Sequence, residues 1–198
     1  MQGSIFGVTL KSKAMEIITD VSRKILDDEA ATHLLNTFGI STSNNEKETV
    51  DSAVKFFTVN GFVRPAVDYT KSWPDSSKAY LFAFNQGNPF PGQFQGCATH
   101  TVDALYQFQN FRHLFTTQAD KDIGDDFGMA LVDFAHGKEN IPAFGKDEKI
   151  KVWGPDGKPG RVMTLKEDPL GLNKEMAVVN ELGVMKVFGV MGGYLTAP

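Results

Sequence analysis

Histidine offers the clearest acid–base chemistry in this chain, because an imidazole gains and loses a proton near neutral pH. The sequence contains four histidines, His33, His100, His113 and His136. His33 and His136 fall near predicted helix ends and His113 follows an aromatic run, so the pattern favours structural roles for these three. His100 differs because it ends a loop rich in glycine and proline, with Asp103 three residues later. The spacing predicts His100 as a candidate general base and Asp103 as a local brace.

A strand directly before that loop would position His100. Residues 78–85 read KAYLFAFN, and their centre is apolar on both faces, which predicts a strand buried inside a sheet with cover on both sides. In open α/β sheets, catalytic groups gather at the carboxyl ends of strands. Residues 85–99 follow with three glycines and two prolines, and a loop of this length inside a compact domain is typically functional or disordered.

Only two weaker strands are available to surround the central one. Residues 149–153 and 161–166 are the candidates, and the sequence GPDGKPG between them predicts a hairpin turn. A central strand needs neighbours on both edges. The sequence therefore predicts part of a larger sheet rather than a complete one.

Helical periodicity dominates the rest of the chain. One helix carries Ala14, Ile17, Ile18, Val21 and Ile25 on one face. Further helices are predicted over residues 28–38 with Gly39 after the last turn, and from the capping pair Asn45 and Glu48. Others are predicted from Pro65 to a point before Trp73, around Ile123–Ala135 and over residues 173–190. We therefore expect an α/β fold in a single domain over residues 1–198, mostly helical, with one buried central strand and a small late hairpin.

Composition and charge exclude several classes of function. The net charge is −4 with no block of basic residues, so nucleic acid is not an expected partner. Cys97 is the only cysteine, and no Cys/His set has zinc-ligand spacing, so we expect no disulfide, metal or cofactor. The amino terminus lacks the pattern of a signal peptide and no apolar run has the length of a membrane span. We expect a cytoplasmic chain as written, whereas a longer parent protein could be secreted.

The segment GCATHTVDALYQFQNF resembles the histidine segment of type-B carboxylesterases and cholinesterase-like proteins. The family pattern is a glycine, small residues, the catalytic histidine, an acidic residue three positions on and an aromatic stretch. Gly96, His100, Asp103, Tyr106 and Phe108 match it in order. The flanking segments AYLFAF, NPFPG, DDFGMALVDFAHGKENIP and VNELGVMKVF are also similar to the family, so the resemblance covers most of the chain from residue 78 onward.

This resemblance implies the carboxyl-terminal part of an α/β-hydrolase that cleaves carboxylic esters through an acyl-serine intermediate. It places His100 at the catalytic histidine, Asp103 behind it as a brace, and Phe90 and Phe94 as candidates to line the acyl pocket, beside Phe82 and Phe84, which core packing explains better. The family's G-x-S-x-G elbow and HGGG-type oxyanion loop are absent from the sequence. Since the family order is serine, acid, histidine, the missing parts are expected upstream.

The acid position is degenerate in this resemblance. The segment MQGSIF is similar to the family's acidic stretch, but Gln2 stands where the acid would be. A neutral amide cannot stabilise an imidazolium ion as a carboxylate does. Either the acid has been lost or the match is shifted by some residues, and Glu16 and Asp20 are the weak substitutes.

Two functions remain open at this point. The first is an incomplete serine esterase, whose substrate would be a small ester once a complementary amino-terminal segment is present. The second is a non-catalytic binding protein, or pseudoenzyme, derived from the same fold. Docking onto such a segment or self-association through an exposed sheet edge is expected in either case. The sequence does not select a substrate.

Overall fold

The chain divides into two compact units in the computed structural model, which describes residues 4–5, 8–9, 13–92, 94–168 and 172–197. One unit consists of residues 1–67 with residues 172–198, and the other consists of residues 68–171. The helices are α1 (Ala14–Ile25), α2 (Asp28–Phe38), α3 (Glu46–Thr58), α4 (Arg64–Ser72), α5 (Val102–Phe108), α6 (Gln118–Ala135), α7 (Asn173–Leu182) and α8 (Val184–Thr196). The strands are β1 (Ser4–Ile5), β2 (Val8–Thr9), β3 (Phe82–Phe84), β4 (Lys149–Trp153) and β5 (Arg161–Thr164). The described chain is therefore mostly helical, with two small sheets.

Local signals set the helix ends in the first unit. Asn45 and Glu48 form the predicted capping box at the start of α3, each side chain bonding to the other's backbone N–H. Gly39 ends α2 in the left-handed conformation, with φ of 68°, as its position after the helix predicts. On α1 the buried residues are Ala14, Met15, Ile18 and Ser22. Ile25, predicted on the same buried face, is instead exposed.

A π-helical segment, Val59–Val63, joins α3 to α4. Pro65 is the second residue of α4 and has no N–H to donate to the preceding turn. The wider π turn lies directly before Pro65, where the regular helical hydrogen bonding is interrupted. The predicted start of a helix at Pro65 is therefore confirmed to within one residue, and α4 ends at Ser72, before Trp73.

The predicted helix over residues 173–190 is wrong in one respect, because the structure contains two helices. Gly183, with φ of 91°, separates α7 from α8, and their axes are bent by 100°. A positive φ is readily adopted by glycine, so the chain turns at this residue.

In α8, Gly193 lies so close to Val21 of α1 that a Cβ would stand 2.5 Å from Val21 Cγ1. The small residue thus permits close packing of α1 and α8.

In the second unit, β3, β4 and β5 form a three-stranded sheet in that order. The predicted hairpin is confirmed, because β4 and β5 are antiparallel and pair Ile150 with Met163. The predicted buried central strand is wrong. The first strand, β3, is only three residues long, pairs in parallel with β4 and lies at the edge, and its Phe82 is 38% exposed. Among the described residues, aromatic side chains rather than a second strand pack against β3.

The core of this unit lies between the sheet and the helices α5 and α6. Its buried members are Val102, Tyr106, Phe115, Ile123, Phe127, Ala130, Ile141 and Trp153. Phe84 of β3 contacts Tyr106 and Phe127, with ring centroids 5.1 and 4.8 Å apart. On α6 the predicted face is only partly buried, since Phe134 is 41% exposed and Ala135 is also exposed.

Candidate functional site

The loop that carries His100 is folded back on itself. It leaves β3 where the N–H of Asn85 donates to the carbonyl of Trp153 at 2.7 Å. Farther along, the N–H of Asn88 donates to the carbonyl of Cys97 at 2.8 Å, and the N–H of Gly96 donates to the carbonyl of Asn88 at 2.9 Å. These bonds join the outgoing arm of the loop to the returning arm, so the segment before His100 has a defined path.

Glycine is required where the two arms meet. A Cβ placed on Gly87 would overlap the carbonyl group of Gly96. No side chain fits in this space, and Gly96 itself has φ of 78°, a conformation that favours glycine. The glycine content that suggested a functional loop is therefore used for close approach of two backbone segments.

His100 lies in a turn at the end of this loop, directly before α5, and its side chain is exposed. The irregular backbone predicted for it is observed. The next residue, Thr101, has φ of 68°, which is unusual for a β-branched residue. Strain of this kind persists only where the surrounding structure fixes it.

The other residues predicted for the site belong to different elements, where the structure describes them. Asp103 lies in the first turn of α5, where it is half-buried. Gln2 lies outside the described residues. Glu16 and Asp20 are exposed on α1, in the all-helical part of the other unit, and Glu16 forms an ion pair of 3.3 Å with Lys13.

The two candidate pocket residues differ in burial. Phe90 is half-buried and packs against the core cluster, with its ring centroid 6.1 Å from that of Phe115. Phe94 is 49% exposed and lies on the outer part of the loop. Phe90 therefore anchors the loop to the core, whereas Phe94 is free to contact a ligand or another chain.

Of the other three histidines, His136 lies at a helix end as predicted, whereas His33 lies in the middle of α2 rather than near its end. His33 Nε2 lies 3.7 Å from a carboxylate oxygen of Glu181. His136 follows the last residue of α6, and its Nδ1 lies 2.8 Å from the carbonyl oxygen of Val132. His113 is exposed on a short 3₁₀ turn over Arg112–Leu114.

A buried carboxylate, Asp120, connects the elements around the loop. Its Oδ1 accepts hydrogen bonds from the Tyr106 hydroxyl at 2.6 Å and from Gln86 Nε2 at 3.0 Å. Its Oδ2 accepts one from the Thr117 hydroxyl at 2.6 Å. Gln86 Oε1 in turn accepts from the N–H of Gly157 in the β4–β5 turn, at 3.0 Å. One side chain thus joins the start of the loop, α5, α6 and, through Gln86, the hairpin.

Asp120 and Gln86 were not among the site residues predicted from the sequence. The only available signal was Thr117-x-x-Asp120, which is typical of a helix start, and the structure has Thr117 as the cap of α6. That signal places Asp120 in a first helical turn. It does not indicate that the turn is buried against Tyr106, since that contact depends on how α5 and α6 pack.

A second carboxylate, Asp126, ties α6 to the hairpin. Its Oδ2 accepts from Trp153 Nε1 at 2.6 Å and from the N–H of Gly160 at 2.8 Å. A Cβ on Gly160 would lie 2.6 Å from Trp153 Nε1, so this position also needs glycine. Asn85, at the end of β3, donates to Asp168 at 2.7 Å. Hydrogen bonds of Asp120, Asp126 and Asn85 thus connect the elements around the His100 loop.

The described residues contain no group of three His, Cys, Asp or Glu side chains placed to hold a metal ion. Within the same part of the chain no single helix is long and apolar enough to cross a membrane; α7 and α8 reach that length only together, and they are bent by 100°. Comparisons with protein-family models, with curated proteins and with solved structures find no match.

Proposed function

We propose that this chain is the histidine-bearing, carboxyl-terminal part of a carboxylesterase-like α/β-hydrolase, with a carboxylic ester as substrate. One observation carries the proposal. His100 is exposed in a turn at the end of a folded loop that follows β3 and directly precedes α5. In the resemblance, an apolar strand leads to the catalytic histidine, and here β3 and the loop after it lead to His100 in the same order.

The reaction assigned to His100 is proton transfer. As a serine hydroxyl attacks the ester carbonyl, the imidazole takes the hydroxyl proton, and the proton then goes to the departing alcohol as the acyl-serine forms. In the second half, the imidazole takes a proton from water, whose oxygen attacks the acyl carbon, and the proton returns to the serine. The serine and the oxyanion donors would come from a complementary amino-terminal segment.

The open edge of β3 supports the need for such a segment. Toward β4, the carbonyl of Leu81 accepts from Lys151 and the N–H of Asn85 donates to Trp153. Because backbone groups alternate along a strand, those of Phe82 and Phe84 point to the other edge. Among the described residues, no strand pairs with that edge. A further strand would complete the hydrogen bonding and extend the sheet.

Asp103 has a supporting role in this proposal. It lies in the first turn of α5, where a carboxylate interacts favourably with the unpaired N–H groups of a helix. That interaction would hold the turn that contains His100. The acid that orients the imidazole would be supplied elsewhere, because the resemblance puts the neutral Gln2 in its place.

The second candidate is a non-catalytic interaction protein, and a different observation favours it. Phe108, Phe111 and Leu114 follow His100 closely and are 65%, 45% and 49% exposed. Clustered exposed apolar side chains on a soluble protein often mark an interaction surface. In this alternative the β3 edge and these side chains bind a partner, and His100 has no chemical role.

A turnover assay with p-nitrophenyl butyrate tests the proposal on the chain as it stands. We expect no saturable hydrolysis by the isolated chain, and the same background rate for His100→Ala. The reason is that a general base needs a nucleophile to deprotonate. Even then, it accelerates the reaction by only roughly a hundred- to ten-thousandfold. Saturable turnover blocked by a serine-directed phosphonate would contradict the need for a complementary segment.

The gene separates the two candidates. An in-frame stretch encoding G-x-S-x-G before the codon for Met1 supports the hydrolase. If the coding region instead begins at Met1, the independent interaction protein is favoured.

A further inference from the structure

The start of the His100 loop and the helix that follows the loop are bonded to the same carboxylate. Gln86 lies two residues beyond β3, where the loop begins, and it donates to Asp120 Oδ1 at 3.0 Å. Tyr106 lies on α5, which begins directly after the loop, and its hydroxyl donates to the same oxygen at 2.6 Å. The loop is therefore closed at its base by one atom of Asp120.

Asp120 is itself held in place. Its side chain is buried, its backbone N–H donates to the Thr117 hydroxyl at 3.0 Å, and that hydroxyl donates to Oδ2 at 2.6 Å. No ion pair to Asp120 is found among the described residues. Hydrogen bonds from neutral donors thus stabilise the buried carboxylate, and losing one donor leaves an acceptor unsatisfied in the interior.

Packing fixes Tyr106 independently of this hydrogen bond. Its ring stacks on Phe115 at 4.6 Å and contacts Phe84 at 5.1 Å. Replacing Tyr106 by phenylalanine consequently removes the hydroxyl and keeps the ring contacts. The contribution of the hydrogen bond can therefore be separated from that of the core.

We propose that Asp120 is a positioning residue, which holds the His100 loop in one conformation by bonding to Gln86 at the start of the loop and to Tyr106 on the helix that follows it. The loop's conformation is an observable of the chain alone. Its catalytic meaning, a fixed placement of the imidazole, rests on the proposed hydrolase function.

The single cysteine allows a direct test of loop order. Cys97 is exposed in the loop, so a nitroxide label attached there reports on the loop alone. In Asp120→Asn, the amide keeps the shape of the side chain but offers one acceptor oxygen in place of two. We expect the rotational correlation time of the label to fall at least twofold in this variant and in Tyr106→Phe.

Two substitutions on the same helix serve as controls. Asp125→Asn removes an exposed carboxylate that bonds to Arg112 at 2.6 Å, away from the loop base. Ile123→Val lowers stability by trimming a fully buried side chain and leaves every bond of Asp120 in place. If Asp120 matters only for overall stability, Ile123→Val will loosen the label as much as Asp120→Asn does, and the proposal is overturned.

The imidazole of His100 supplies a second readout. The chain has four histidines, and the His100 NMR signal is assigned by its loss in His100→Ala. In Tyr106→Phe and Asp120→Asn, this signal should move toward that of a histidine in a short peptide, while the signal of His33 stays unchanged. Unchanged His100 signals together with an unchanged label would contradict the proposal. Neither readout involves an ester, so an inactive hydrolase leaves this result standing.

Discussion

The hydroxyl of Tyr106 donates a 2.6 Å hydrogen bond to Asp120 inside the unit formed by residues 68–171. Burial first, and then this bond to a carboxylate, raise the pKa of Tyr106 far above its usual value of 10.0. The phenol therefore stays protonated in the folded chain over the whole range in which an unfolded tyrosine ionises. The stability of the chain should depend on pH for this reason.

We predict that Tyr106 makes the chain less stable at high pH. Above about pH 10 the unfolded chain loses the Tyr106 proton while the folded chain keeps it, so the free energy of unfolding falls as pH rises, by about 1.36 kcal/mol per pH unit for one group. Below pH 10 Tyr106 is protonated in both the folded and the unfolded chain, so its contribution to the free energy of unfolding is fully retained. Urea unfolding of the native chain and of Tyr106→Phe between pH 8 and 11 measures it. Parallel pH curves for the two proteins would contradict the assignment.

Gly87→Ala should destabilise the His100 loop. The added Cβ would overlap the carbonyl group of Gly96, so one arm of the loop has to shift. We expect a loss of about 1–3 kcal/mol, the range for overpacking a close contact. Thermal unfolding and the rate at which Cys97 reacts with a thiol reagent both report it, and the reaction rate should increase.

Gly192→Ala is the matched control for this substitution. Gly192 lies inside α8, and a Cβ there meets nothing within 4 Å. Because alanine favours a helix over glycine, we expect stabilisation by about 0.5–1 kcal/mol. The change from glycine to alanine should thus lower the stability at position 87 and raise it at position 192. Equal effects would indicate that the loop contact at Gly87 is not close.

Short-range signals in the sequence predicted several helix ends and the hairpin. The capping box at Asn45, the left-handed Gly39 and the hairpin between β4 and β5 all depend on residues close together in the chain. The position of β3 at a sheet edge was not predictable in this way. An apolar run has the same appearance whether strands or aromatic side chains cover it, and here Phe127 and Trp153 lie against Phe82.

The site was predictable only in part for the same reason. The position of His100 follows from its own loop, which the glycines and prolines marked. Asp120 became part of the site through contacts to Gln86 and Tyr106, which lie 34 and 14 residues away in the sequence. A single sequence contains no direct signal for such pairs.

The open edge of β3 should make the free chain self-associate. Unpaired backbone groups at a sheet edge pair readily with another strand, and Phe82 on this edge is 38% exposed. At micromolar concentration we expect elution as oligomers in size-exclusion chromatography. Phe82→Lys should shift the population to monomer because it places a charge on the edge, whereas Phe82→Leu should not.

A native chain that is monomeric at all concentrations and unfolds in one sharp cooperative transition would contradict this prediction. It would also favour a self-sufficient protein over a part of a larger sheet.

A fusion protein tests most directly the central claim that His100 is the base of a carboxylesterase-like site. The amino-terminal part of a type-B carboxylesterase, including its serine elbow, is joined to residues 1–198 carrying Gln2→Glu. We predict hydrolysis of p-nitrophenyl butyrate that falls at least about a hundredfold in His100→Ala and is kept in His113→Ala, which changes an exposed histidine outside the loop. A fusion that unfolds cooperatively, yet shows no turnover or the same turnover without His100, would contradict the account.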